Sequence, residues 1–162
     1  MARRLLKYKD YDIQSVTTVV DPDGPSPRRN ANIVAWAMPT AMDGKTLAVA
    51  LYKVDYTIEL VRASGVCNLN LLATDQLNLV RRFGQQSGRT RDKLARIPHA
   101  LDDRGCPFLT DAIGFAQCRV LTSVDGGDHE LFIAEVLKQT LLHPDKAVLT
   151  YALLKERKVV RG

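Results

Sequence analysis

Residues 83–93 read Phe-Gly-Gln-Gln-Ser-Gly-Arg-Thr-Arg-Asp-Lys, a mixture suited to holding an anion. Gly84 and Gly88 let backbone N–H groups come close, Ser87 and Thr90 carry hydroxyls, and Arg89, Arg91 and Lys93 bring positive charge. A solvated basic loop is the alternative, and composition alone favours it. Lys53 is the other conspicuous cation. It follows the apolar run Ala50–Tyr52, so its ammonium needs a partner or solvent. Asp55 follows two residues later and can cap a helix whose first N–H groups would face an anion.

Several other chemistries lack their residues. Neither the G-x-G-x-x-G nor the G-x-x-x-x-G-K-[ST] phosphate loop occurs, and there is no G-x-S-x-G nucleophile turn. His99, His129 and His143 lack metal-ligand spacing, so no metal site is expected. Cys67, Cys106 and Cys118 are far apart in the chain, which argues against both a disulfide framework and a zinc site. Any redox or group-transfer chemistry then falls to a bound organic cofactor.

The elements that must position these residues are read from pattern. The 162 residues, 46% hydrophobic and 25% charged, suit a single domain over 1–162 with a proper core. No apolar run reaches the ~20 residues that span a bilayer, and the basic N-terminus lacks a signal-peptide pattern. The expectation is a cytoplasmic protein with no membrane partner. Strands are expected at 13–20, 31–38, 46–52, 66–72 and 111–123. Residues 21–30, with three prolines, read as a loop. Helices are expected at 55–65 and 74–83. The polar run 84–109 is too long for a plain connection. Residues 129–141 fit helix or strand, and the Asp-Gly-Gly-Asp turn before them favours a hairpin. Residues 147–154 fit a last strand or a helix. Six or seven strands without regular intervening helices point to an antiparallel barrel with helical insertions rather than a doubly wound sheet.

Four pieces in order resemble a known family. Asn-Ile-Val-Ala-Trp (32–36), the stretch 50–72, the 83–93 loop and Gly-Asp-His-Glu-Leu-Phe-Ile-Ala-Glu-Val (127–136) look like the flavin reductase-like group of FMN-binding split barrels, nearest its flavoredoxin and ferric-reductase branch. The resemblance spans about two thirds of the chain. It implies a mainly β, antiparallel six- or seven-stranded FMN-binding split barrel with helical insertions. It also implies a homodimer with the flavin at the interface and NAD(P)H as electron donor. FMN is the expected cofactor, with FAD possible. Electrons would pass to free flavin, ferric iron or a protein partner.

By the same resemblance, Lys53, Tyr56, Thr57, Ser87, Arg89 and Lys93 would surround the phosphate. Asn30, Ala31, Asn32, Ile33, Ala35 and Trp36 would run along the ring, Asn70 would join the site, and His129 would stand on the nicotinamide side as the catalytic candidate.

Two departures qualify the resemblance. Ala134 stands where the family has glycine, expected to narrow the room for a second ligand. Residues 35–38 are Ala-Trp-Ala-Met where the family carries small hydroxyls, which weighs against nicotinamide turnover more than against flavin binding. An FMN-binding electron carrier with no nicotinamide site is therefore a second expectation. A nucleic-acid-binding barrel is a third and weaker one. The net charge of +5 suits it, but aromatics are not interleaved with the basic residues.

Overall fold

A computed structural model describes residues 5–160. The chain carries basic residues near both termini, and of these Arg3, Arg4 and Arg161 lie outside the described residues. Nine strands and three α-helices are found among the described residues. The strands are β1 (Gln14–Val20), β2 (Arg28–Val34), β3 (Ala37–Pro39), β4 (Thr46–Tyr52), β5 (Val66–Leu71), β6 (His99–Leu101), β7 (Pro107–Leu109), β8 (Gly114–Asp125) and β9 (His129–Leu141). The helices are α1 (Tyr56–Ser64), α2 (Leu77–Gly84) and α3 (Tyr151–Glu156). Among the described residues no helix is long and apolar enough to cross a membrane.

Seven strands form one antiparallel sheet in the order β2-β1-β5-β8-β9-β4-β3. Its two edge strands, β2 and β3, are consecutive in sequence with only Ala35 and Trp36 between them. The sheet must therefore curl until its edges nearly meet, and the Ala50 N–H donates to the Trp36 carbonyl at 2.9 Å where they do. This is the expected antiparallel split barrel. α1 plugs the curl and lays Ile58 and Val61 among Val16, Val34, Leu51 and Phe132. Gly65 ends α1 at φ 67°, a left-handed conformation that glycine adopts without a Cβ clash.

On the other face of β2 and β1, α2 buries Leu79, Val80 and Phe83 with Ile13, Ala31 and Leu154. This second core is why Phe83 is fully buried. The pair β6–β7 is pinned to the same outer side. Asn68 and Asn70 reach from β5 to the Pro107 carbonyl (3.0 Å) and the Leu109 N–H (2.9 Å).

Several boundaries differ from the sequence expectation for physical reasons. The proline loop is shorter, because Arg28 and Arg29 already pair with Val20 and Val19. The expected strand 31–38 is two strands, broken where the chain crosses between sheet edges. The run 84–109 carries β6 and β7. Residues 129–141 are strand throughout, extending the hairpin with β8. The ambiguous 147–154 makes two isolated bridges, Val148 to Ala73 and Thr150 to Asp12, and then α3, whose first turn is capped by the Thr150 hydroxyl.

Candidate functional site

Edge strand β2 lies between α1 on one face and the end of α2 on the other, and the 84–93 loop wraps that edge. Strand alternation sends Asn30 and Asn32 toward α1. Asn30 Nδ2 donates to Thr57 Oγ1 at 2.9 Å, and Asn32 Nδ2 donates to the Asp55 carboxylate. Ala31 and Ile33 point the other way and pack in the α2 core. Of these four, only the asparagines can face a ligand held at the α1 terminus with their side chains.

A polar cleft of about 240 Å³ opens there, lined by Val54, Asp55, Tyr56, residues 84–89 and Lys93. Asp55 caps α1 without a side-chain bond to its first turn, so the first N–H groups of the helix stay open at the cleft. Lys93 is only 5% exposed, and its Nζ donates to the Phe83 carbonyl at 2.6 Å. Burial pulls its pKa down to about 8, against the opposing pull of Asp55. Arg89 stands at the rim. Its guanidinium bonds Glu59 and the Val54 carbonyl, and lies 5.4 Å from the Tyr56 ring centroid. Ser87 Oγ accepts from the Arg89 N–H at 3.2 Å. Gly88 sits directly against the Asn30 carboxamide.

Beyond the C-terminal end of β2, where the chain crosses between the sheet edges, a second group forms. The Trp36 ring lies 4.8 Å from that of His129, tilted by 53°, and the Tyr52 ring lies 5.1 Å from that of His129. Tyr52 and His129 are paired across β4 and β9. Asp128 Oδ1 holds His129 Nδ1 at 2.6 Å. A carboxylate partner makes Nδ1 the donor, and Nε2 has no hydrogen-bond partner among the described residues. Trp36 remains half exposed. An anion cradle at one end of β2 and a shelf of rings at the other suit an elongated ligand with an anionic tail and a planar head.

The structure therefore brings together Asn30, Asn32, Tyr56, Thr57, Ser87, Arg89 and Lys93 at the cradle, and Trp36 and His129 at the shelf. Ala35 adjoins Trp36 at the crossing between edges. Two expected residues are engaged elsewhere. Lys53 Nζ bonds Asp125 at 2.6 Å, which holds the Asp125 carboxyl below its ordinary range and pins the β8–β9 turn beside β4. Lys53 thus fixes the position of His129 rather than entering the cleft. Asn70 is fully buried, with its amide on the Ser15 carbonyl and the Thr17 hydroxyl. It secures β7, not a ligand. Ala134 is fully buried in the core inside the curl, so a methyl there fills the core and does not narrow a ligand site. Sequence reasoning missed Tyr52, whose relation to His129 exists only through strand register. It also missed Gly88 as the point of closest approach, although Ser-Gly before Arg was a visible signal for tight packing.

Comparison with known proteins places the chain in a family and supports the fold. The family model described as "Flavin reductase like domain" matches residues 12–158. The chain is 31% identical over 127 residues to the high molecular weight rubredoxin of Moorella thermoacetica, covering 77% of this chain and 55% of that protein. It is 29% identical over 154 residues to the FMN reductase (NADH) RutF of Agrobacterium fabrum, covering 92% of this chain and 86% of that one. The chain thus spans about half of the first relative and most of the second. Among solved structures, nitrilotriacetate monooxygenase component B from Mycobacterium thermoresistibile superposes with a TM-score of 0.78 at 23% identity, over 91% of this chain and 78% of that chain. At that identity the likeness is one of fold.

Proposed function

Because the chain belongs to the flavin reductase like domain family, we propose that it binds FMN along β2 and takes a hydride from NAD(P)H, passing electrons on to free flavin, ferric iron or a protein partner. The observation that carries this reading is the cradle joined by one strand to the ring shelf. The donor set fits the cofactor. A phosphate monoester seeks charge-assisted N–H donors, which Lys93, Arg89 and the α1 amides supply. FMN, when bound, supplies two-electron hydride chemistry that no side chain here provides. FAD would use the same cradle for its first phosphate. The Agrobacterium relative, named for NADH and FMN, supports the pairing of donor and cofactor.

In this reading the residues have distinct tasks. Lys93 and the helix amides neutralise the phosphate, and Asn30 and Thr57 hold α1 against β2. Trp36 and Tyr52 keep water from one side of the shelf. His129, oriented by Asp128, presents Nε2 to the carboxamide of the nicotinamide donor and positions it for transfer. The second copy of a homodimer would complete the far side of the ring.

The test is the visible spectrum of the purified protein with FMN, then with NADH under anaerobic conditions. A flavin band that bleaches on NADH addition is the expected result. A band that yields only to a chemical reductant would leave an electron carrier without nicotinamide chemistry. No band with added FMN would remove the flavin altogether.

His129→Ala is expected to slow NADH oxidation by about 10- to 100-fold through lost positioning, while the dissociation constant for FMN changes by less than about threefold. Stopped-flow bleaching together with fluorescence titration separates the two. An unchanged bleaching rate would return His129 to a role in the turn alone.

A further inference from the structure

Lys93 is an unusual cation with which to meet a phosphate. It lies at the back of the cleft, almost without solvent, and among the described residues its Nζ meets one acceptor, the carbonyl of Phe83 at the end of α2. The charged groups that face it are few. Asp55 comes from the cap of α1, with its carboxylate already accepting from Asn32. Arg89, across the cleft, is engaged by Glu59. Arg82 of α2 donates its Nε to the carbonyl of Lys93 itself at 2.7 Å, adding positive charge nearby. Asp92 turns its carboxylate to the Leu94 N–H. Burial thus opposes a charge that Asp55 and the Phe83 carbonyl support. A lysine ammonium under such conditions loses its proton far more readily than an arginine would.

We infer that anion binding in this cleft is coupled to proton uptake at Lys93: as a phosphate monoester dianion enters, Lys93 Nζ takes one proton from solvent and meets the ligand as an ammonium. This rests on the flavin reading for the identity of the ligand. The sign follows from linkage. The dianion raises the Lys93 pKa above its free value of about 8, so the bound state holds more protons than the free state over that interval. Affinity is then fully present below pH 8 and falls as pH rises through 8 toward the bound-state pKa, approaching about tenfold per pH unit in that window.

The experiment is isothermal titration of the protein with FMN at pH 8 in two buffers of different ionisation enthalpy. The expected uptake is about half a proton per FMN in the wild type. In Lys93→Arg, which keeps the charge but cannot titrate, uptake is expected to vanish and the affinity to become flat between pH 7 and about 9. Wild-type FMN binding without proton uptake would overturn the coupling and leave the flavin reading intact. Uptake that persists in Lys93→Arg would place the proton on another group and overturn the assignment. Absence of FMN binding would bring down the flavin reading instead. The proton count is then taken with inorganic phosphate, where zero uptake overturns the coupling.

Discussion

Arg104→Met is expected to destabilise the fold by about 3–5 kcal/mol, the range seen when one partner of a buried ion pair is removed. Arg104 Nη2 bonds the Asp102 carboxylate and Asn68 Oδ1, both at 2.8 Å, and its Nη1 donates to the Cys118 carbonyl at 2.8 Å. Asp102, whose side chain is 1% exposed, also accepts from the Arg104 N–H (2.8 Å), the Cys106 N–H (3.0 Å) and Asn68 Nδ2 (3.0 Å). This network ties the turn between β6 and β7 to β5 and β8. Methionine would fill the space but leave Asp102 buried and uncompensated.

A second readout separates this cause from simple loss of packing. Burial alone would raise the Asp102 pKa, but Arg104, Asn68 and the backbone amides outweigh it and hold the carboxyl below its ordinary range. Its contribution is therefore present above the unfolded value of about 4 and is lost as pH falls through the folded value. The difference between wild type and variant, measured by urea denaturation, should be largest near pH 7 and shrink toward about pH 3. A difference below about 1 kcal/mol at pH 7, or one independent of pH, would show that the network contributes no more than surface pairs do.

That network also shows where sequence reasoning stops. Asp102, Arg104 and Cys106 sit in a run whose composition says only that it is polar and long. Their value comes from meeting Asn68 and Cys118, which are distant in sequence and brought close by strand pairing. The same holds for the cysteines. Separated in the chain, Cys67 and Cys118 are direct cross-strand neighbours on β5 and β8. What could be read locally was read well. Asp55 and Gly65 mark the ends of α1, the β-branched run 13–20 marks β1, and the short apolar run 46–52 marks β4. Lys53 and Asn70 show the opposite limit. Both carry chemistry suited to a ligand, yet the fold gives each a closer protein partner, Asp125 for one and the β7 anchor for the other. A polar side chain announces a need for a partner without saying which one satisfies it.

Gly88→Ala tests the cradle where it is tightest, and FMN affinity is expected to fall on the order of 100-fold, about 2.7 kcal/mol. A Cβ on Gly88 would lie 2.2 Å from Asn30 Oδ1, 2.6 Å from its Cγ and 2.7 Å from its Nδ2. The whole carboxamide is in the way. Asn30 cannot swing aside cheaply, because it is 2% exposed and its amide satisfies the fully buried Thr57 hydroxyl. Moving it would orphan that hydroxyl at a cost of about 1–3 kcal/mol. The loop is the softer side, so it shifts outward, taking Ser87 and Arg89 with it and pulling on Lys93. Phosphate contacts that depend on sub-ångström placement are lost before the fold is. The double variant Asn30→Ala with Gly88→Ala isolates the clash. Removing the carboxamide makes room for the methyl, so adding Gly88→Ala to Asn30→Ala should weaken FMN binding by less than about threefold. If Gly88→Ala alone binds FMN as the wild type does, the loop does not hold the phosphate against β2. If it costs as much in the Asn30→Ala background as in the wild type, the loss comes from the loop backbone and not from the contact with Asn30.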